Sequence, residues 1–316
     1  MVCSFFCFLL RNNMWLSIIL LAAVFLGLYD IAQKRSLNNN SVIMVLFCSI
    51  LTSSIVLTPC LLVSVFSPSI LEKTPFFVPF VDWETHLFIV VKSLIVLSSW
   101  LFGYAGMKNL PLTIVTPIKA TQPMWTVLGA MLIFAERLNL AQTIGVVVIL
   151  CCFYLFSMVG KREGIYFRSN KWVWCLLAST LIGASSGLYD KYLMCHFDKM
   201  AVLVYYTYYQ LIGMGMILLY FVWKNKKSEI VENRTFQWRW SIPFIGIFLS
   251  CSDFLYFYAL SLPDSLIAVI SPLRRTGMIL AFAYGAICYR EKNKRAKLWC
   301  LIGMVVGVVF LYGGTM

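Results

Sequence analysis

The chain has 316 residues, of which 61% are hydrophobic and 12% are charged, and its formal net charge is +13. A soluble domain carries about 25% charged residues, so this composition excludes a soluble protein and indicates one that crosses a membrane many times. The basic excess does not indicate nucleic-acid binding, because Lys and Arg cluster in short segments between apolar runs, as at 224–227. We therefore expect no nucleic-acid partner.

Ten apolar runs are long enough to cross a bilayer as helices, which takes about 20 residues each. They are residues 14–33, 42–66, 86–107, 112–134, 139–159, 172–194, 201–223, 241–261, 264–289 and 298–315. We predict an all-α integral membrane protein with a five-helix unit over 1–160, a linker over 161–171 and a second five-helix unit over 172–316. The lipid bilayer is then an expected partner.

The two units carry the same short motifs in the same order. Gly-Leu-Tyr-Asp occurs at 27–30 and again at 187–190. Thr-Pro-Ile-Lys at 116–119 has its counterpart in Ser-Pro-Leu-Arg at 271–274. Because five is an odd number, the second unit enters the membrane in the opposite orientation, which makes the repeat inverted. Inverted repeats are typical of secondary transporters, whose substrate site lies between the halves.

Basic residues inside the predicted spans indicate a binding site, because a charge in the bilayer is costly and usually faces a cavity. Arg274 and Arg275 lie about ten residues into the ninth span, and Lys119 is the repeat counterpart of Arg274. Three cations near one point favour an anionic ligand, since arginine binds carboxylate or phosphate through parallel hydrogen bonds. Pro117 and Pro272 each precede a cation by two residues and predict matching helix kinks. Static salt bridges are the alternative role for these cations.

Two further features complete the candidate substrate site. Asp253 is the acidic residue within a span that we expect to matter most, either neutralising Arg275 or carrying a proton. A tyrosine-rich run contributes Tyr205, Tyr209 and Gln210, whose polar groups could line a path for substrate. Contacts between helices are an equally good interpretation of that run.

Other charges near the spans receive structural interpretations. Asp30 and Asp190 recur in the repeated motif, and Asp30 can pair with Lys34 one helical turn away. For Lys92, within the third span, snorkelling to the interface and a functional role are equally good interpretations.

The sequence offers no phosphate-binding loop and no metal-spaced pair of histidines. Its cysteines lie mostly inside apolar runs, where cysteine behaves as a small hydrophobic residue. We therefore expect neither an enzyme nor a bound cofactor or metal ion.

A glutamate that closes the fourth span gives the chain a family resemblance. Glu136, Gln142 and Gly145 match a pattern in which a glutamate ends the fourth helix and Gln, then Gly, follow in the fifth; in the second unit only Glu291 matches. With ten spans and an inverted repeat, the chain resembles the drug/metabolite transporter superfamily, particularly its bacterial EamA branch. The resemblance implies alternating access to a central cavity, and short loops favour a bacterial inner (plasma) membrane. It also implies cytoplasmic termini, whereas the loop charges favour the opposite orientation.

We predict a secondary-active transporter of a small organic metabolite, anionic or zwitterionic, that works by alternating access with proton coupling or exchange. The expected partners are a small-molecule substrate and a proton or counter-substrate, and a homodimer is left open. An exporter of aromatic or hydrophobic compounds, with structural arginines, is the first alternative. A non-transporting membrane interaction or sensor subunit is the alternative from another class.

Overall fold

The computed structural model describes residues 14–110, 115, 118–119, 121–135, 137–161, 170–225, 236–262, 265–288, 299–300, 302–303, 306–307 and 309–310. Within these ranges the chain forms helices and loops and no strand, which confirms the predicted all-α class. The helices are α1 (Met14–Leu37), α2 (Val42–Phe66), α3 (Pro68–Leu71), α4 (Trp83–Asn109), α5 (Gln122–Ile133), α6 (Leu140–Lys161), α7 (Lys171–His196), α8 (Lys199–Asn225), α9 (Ser241–Ser261), α10 (Ile267–Arg275) and α11 (Met278–Cys288).

Six of these helices, α1, α2, α4, α7, α8 and α9, are long and apolar enough to cross a membrane. They correspond to the first three spans predicted for each unit, so the chain is an integral membrane protein. The fourth, fifth and ninth predicted spans coincide with α5, α6 and the α10–α11 pair, and the tenth is described only in fragments. The count of ten spans therefore stays a prediction.

The two units pack against each other along most of their length. Helix α1 packs along α9, and α4 packs along α7, so the first and third spans of one unit meet the third and first spans of the other. Helix α2 contacts α8 and α9, and α5 contacts α10. All of these contacts join the first unit to the second, which places the apolar core and its polar centre between the units.

Hydroxyl groups join the paired helices near their middles. The Ser99 hydroxyl donates to the backbone oxygen of Ser179 at 2.8 Å, and the Ser179 hydroxyl donates to that of Ser99 at 2.7 Å. Between α9 and α1, the Ser252 hydroxyl donates to the backbone oxygen of Ala22 at 2.9 Å. Such hydrogen bonds satisfy polar groups inside an apolar bundle and fix how the helices face each other.

Two glycines, Gly27 in α1 and Gly277 between α10 and α11, let these segments cross in close contact; we call this the glycine crossing. A Cβ atom on Gly277 would lie 1.8 Å from the backbone oxygen of Ala23, and one on Gly27 would lie 2.3 Å from the oxygen of Gly277. Because both obstacles are backbone atoms, only glycine permits this approach. The ninth predicted span is interrupted at this crossing, between Arg275 and Met278.

At one end of the bundle the α1–α2 turn is joined to the segment that leads into α9. The Asn40 amide donates to the Gln237 backbone oxygen at 2.8 Å and accepts from its backbone N–H at 3.1 Å. The hydroxyls of Ser36 and Ser241 lie 2.6 Å apart beside this contact. The two units are thus connected by specific polar contacts at the bundle end as well as by apolar packing.

Candidate functional site: a charged cavity between the units

A cavity of about 150 Å³ lies between the units and is lined by residues of both. Its most unusual feature for a membrane-embedded space is its charge. Seven of the lining side chains are ionisable as acids or strong bases: Asp30, Lys92, Lys119, Asp190, Asp253, Arg274 and Arg275. The sequence predicted four of these as site residues, and the structure adds Lys92 and the two aspartates of the repeated motif.

The most buried pair joins α4 of the first unit to α7 of the second. Lys92 forms an ion pair with Asp190, and their side chains are only 4% and 7% exposed. The Lys92 ammonium also lies 3.0 Å from the Ser186 hydroxyl and 5.6 Å from the centres of the Tyr206 and Phe257 rings. Lys92 therefore does not snorkel to the interface; it is a buried cation that connects the units.

Arg274 is paired with Asp253, so this aspartate does not neutralise Arg275 as the sequence had suggested. The Tyr206 hydroxyl donates to the same carboxylate. The Arg274 guanidinium lies 3.3 Å from the Ser252 hydroxyl and stacks 4.1 Å from the centre of the Tyr256 ring. Adjacent helix positions point about 100° apart, so Arg274 meets Asp253 within the second unit while Arg275 meets Gln122 of the first.

Lys119, Asp30 and Arg275 form a second group of charges. The Lys119 ammonium lies 3.6 Å from the Asp30 carboxylate, which also interacts electrostatically with Arg275. Arg275 donates to the side-chain oxygen of Gln122 at 2.6 Å, and no carboxylate in the described part of the chain lies within ion-pair distance of it. Asp30 is therefore paired with Lys119, whereas the direct partner of Arg275 is the neutral amide of Gln122.

The charge pattern departs from the repeat symmetry. Asp30 and Lys119 pair within the first unit, but their counterparts Asp190 and Arg274 each take a different partner. Lys92, which takes Asp190, comes from the opposite unit. The repeat predicts positions well, whereas the partners depend on residues that only one unit carries.

Two members of the tyrosine-rich run make contacts between helices, which is one of the two interpretations that the sequence left open. Tyr205 and Tyr209 pack on the His86 ring, with centroid distances of 4.9 and 6.0 Å, and the Tyr209 hydroxyl lies 3.0 Å from the His86 Nδ1 atom. Neither lines the main cavity; Tyr206 is the member of the run that does. Gln210 lines a neighbouring space of about 10 Å³.

Pro272 lies inside α10, and this helix ends at Arg275, just before the crossing at Gly277. Its counterpart Pro117 lies outside the described residues, as do Glu136 and Glu291 of the family pattern. Gln142 has a clear local role: its side chain accepts from the Asn139 N–H at 3.1 Å, and its own N–H donates to the Asn139 side chain at 2.8 Å. This reciprocal arrangement caps the start of α6.

One segment fits a hydrolase pattern by sequence but not by structure. Residues 183–187 read Gly-Ala-Ser-Ser-Gly, which matches the Gly-x-Ser-x-Gly nucleophile motif. They lie inside α7, and the Ser185 hydroxyl donates to the Leu181 backbone oxygen of its own helix. The motif requires a sharp turn between strand and helix, so this segment is not a nucleophile elbow.

Comparison with known proteins also divides the chain into two units. The model of the EamA-like transporter family matches residues 13–158 and again residues 170–313, one match for each unit. The comparison with curated proteins finds no match. A solved structure described only as "Crystal structure of protein" is similar over 95% of this chain and 96% of its own, with a TM-score of 0.66 and 12% sequence identity, which concerns the fold alone. Because the family model covers nearly the whole sequence, the chain belongs to the EamA-like transporter family, a branch of the drug/metabolite transporter superfamily.

Proposed function

We propose that this protein is a secondary-active transporter of a small organic metabolite that is anionic or zwitterionic. The observation that supports this most strongly is the cavity between the units, where Lys119, Arg274 and Arg275 all face one space. Buried cations in a membrane are costly unless a ligand or partner uses them. A bacterial inner membrane is the location we propose for it.

Alternating access is the mechanism we propose, with the two units rocking about the cavity. Two of the contacts that cross between units there involve charged side chains: Lys92 with Asp190, and Arg275 with Gln122. A relative motion of the units would have to break and remake them, so substrate that contacts these groups can bias the motion. For coupling we propose either a proton taken up by a cavity carboxylate such as Asp253, or exchange against a second substrate molecule.

Thermal stabilisation across a metabolite panel tests the proposal directly, because a ligand that binds only the folded protein raises the apparent Tm by mass action. We expect carboxylated or phosphorylated compounds to stabilise the wild type and to lose that effect in Arg274→Gln and in Arg275→Gln. Arg275→Gln leaves all three ion pairs in place, so we expect it to fold even if Arg274→Gln does not. Arg137→Gln makes the same change at an exposed position away from the cavity and should respond like the wild type. A panel in which no compound stabilises the wild type contradicts the proposal.

Export of aromatic or hydrophobic compounds is the second candidate, because the cavity is also lined by aromatic rings. These are Tyr29, Trp100, Tyr104, Tyr206, Tyr256 and Phe257. In this case the cations are structural, and neutral aromatic compounds should stabilise the wild type and Arg275→Gln equally. That outcome would replace the anion proposal with the exporter.

A further inference from the structure

The cavity charges divide into two groups of different net charge. Lys92 and Arg274 are matched one to one by Asp190 and Asp253, so the first group is neutral when all four side chains are ionised. The second group holds two cations, Lys119 and Arg275, and one carboxylate, Asp30, which is paired with Lys119; it carries a net charge of +1 when all three side chains are ionised.

Arg275 is the cation of the second group that has only a neutral direct partner. Its hydrogen bond to Gln122 uses one of the five N–H donors of a guanidinium. The side chain of Gln122 packs closely against α7, because its amide nitrogen lies only 2.9 Å from the position that a Cβ atom on Gly183 would take. The absence of a side chain at Gly183 thus provides the room in which Gln122 orients Arg275.

This arrangement belongs to neither unit alone. Counting 155 residues between counterparts, Arg275 corresponds to Ala120 and Gln122 corresponds to Gly277. The second unit supplies the arginine and the first supplies the amide, and the symmetric alternative, with a cation at 120, does not exist. The positive charge is therefore fixed at one place in the cavity.

We propose that Arg275, oriented by Gln122, is the subsite for the carboxylate of an organic monoanion, and that the cavity selects substrates by a net charge of −1. This inference rests on the proposed transport function and narrows it. An unbalanced charge in a buried space is unfavourable, and a monocarboxylate removes the imbalance. A neutral or zwitterionic compound leaves the +1 in place. A phosphate monoester carries a charge of about −1.5 to −2 at neutral pH, which is more than the +1 of the second group requires.

The proposed selection for a net charge of −1, called the charge rule below, can be tested with sets of probe molecules that share a carbon skeleton and differ in charge. The aromatic lining favours an aromatic body, so we would measure the binding of benzoate, benzamide and phthalate to the purified full-length protein, with hexanoate, hexanamide and adipate as an aliphatic set. The wild type should bind the monocarboxylate of at least one set roughly 10- to 100-fold more tightly than its amide or dicarboxylate, as expected for hydrogen bonds to a charged group. Equal binding of the three charge states in both sets would overturn the proposal.

Gln122→Glu is the decisive variant, because it gives Arg275 a carboxylate of the protein and brings the second group to neutrality. We expect it to weaken monocarboxylate binding by roughly 10-fold or more while amide binding changes little. Gln142→Glu makes the same chemical change in the cap of α6 and should behave like the wild type. If Gln122→Glu still binds the monocarboxylate as the wild type does, the subsite is wrong.

The charge rule and the transport function fail in different ways. If none of the six probes binds, or if the dicarboxylates or amides bind best, the monocarboxylate subsite is wrong. The transport function fails if no member of the wider metabolite panel, neutral and dianionic compounds included, binds the wild type, or if the compounds that bind are not taken up. A melting curve for each variant identifies any that does not fold.

Discussion

The ion pair between Lys92 and Asp190 offers the sharpest test of how the two units are held together. Its side chains are 4% and 7% exposed, and it joins α4 to α7 across the cavity. Asp190→Asn or Lys92→Met leaves the other charge buried without its partner, which costs about 3–5 kcal/mol in free energy of unfolding. In Asp190→Asn the Lys92 ammonium keeps its hydrogen bond to the Ser186 hydroxyl, so we expect the loss in free energy of unfolding to lie near the lower end of this range.

The double variant removes both charges and should be less destabilised than the sum of the single variants. The coupling energy from this cycle should lie at about 0.5–3 kcal/mol, the range for residues in direct contact. Equilibrium unfolding in mixed micelles measures it. The pair of Asp30 with Lys119 is a suitable comparison, because its 3.6 Å separation and the 17% exposure of Lys119 predict a smaller coupling. Single variants that each cost less than about 1 kcal/mol, or that add without coupling, would refute the ion-pair reasoning.

Two further predictions concern the contacts between units. Gly277→Ala places a methyl group against the backbone oxygen of Ala23 and should destabilise by about 1–3 kcal/mol, seen as a lower Tm. Gly215→Ala, where nothing lies within 4 Å of the added atom, should be neutral or stabilising, and equal effects at both sites would contradict the crossing. Asn40→Ala removes both hydrogen bonds to the Gln237 backbone and should cost about 1–3 kcal/mol, with faster hydrogen exchange at the Gln237 amide. Unchanged exchange there would show that the contact does not hold the two units.

The sequence predicted the positions of the cavity charges better than their partners. Lys34 is four residues from Asp30 and was the expected partner, but its ammonium instead binds the backbone oxygens of Met107 and Leu110 at 3.0 and 3.1 Å. Asp30 turns to Lys119, which is far away in sequence. Pairing at one helical turn is a weak surface effect, and a long-range partner in a buried space overrides it.

The tyrosine-rich run shows a second limit of the sequence. Adjacent helix positions point about 100° apart, so at most one or two members of the run can face a cavity. Tyr205 and Tyr209, four residues apart, share the face that meets His86, and Tyr206 alone reaches Asp253. An apolar helix with no polar face gives no sign of which side is inward, so composition could not select among them.

Uptake by proteoliposomes tests the central claim most directly. A compound that stabilises the purified protein would be supplied in labelled form to vesicles that contain the wild type, either preloaded with the unlabelled compound or given a proton gradient. We predict accumulation above that of protein-free vesicles for the wild type and for Arg137→Gln, and none for Arg275→Gln. A compound that binds the wild type but accumulates no faster than in protein-free vesicles, under either driving force, would contradict the account.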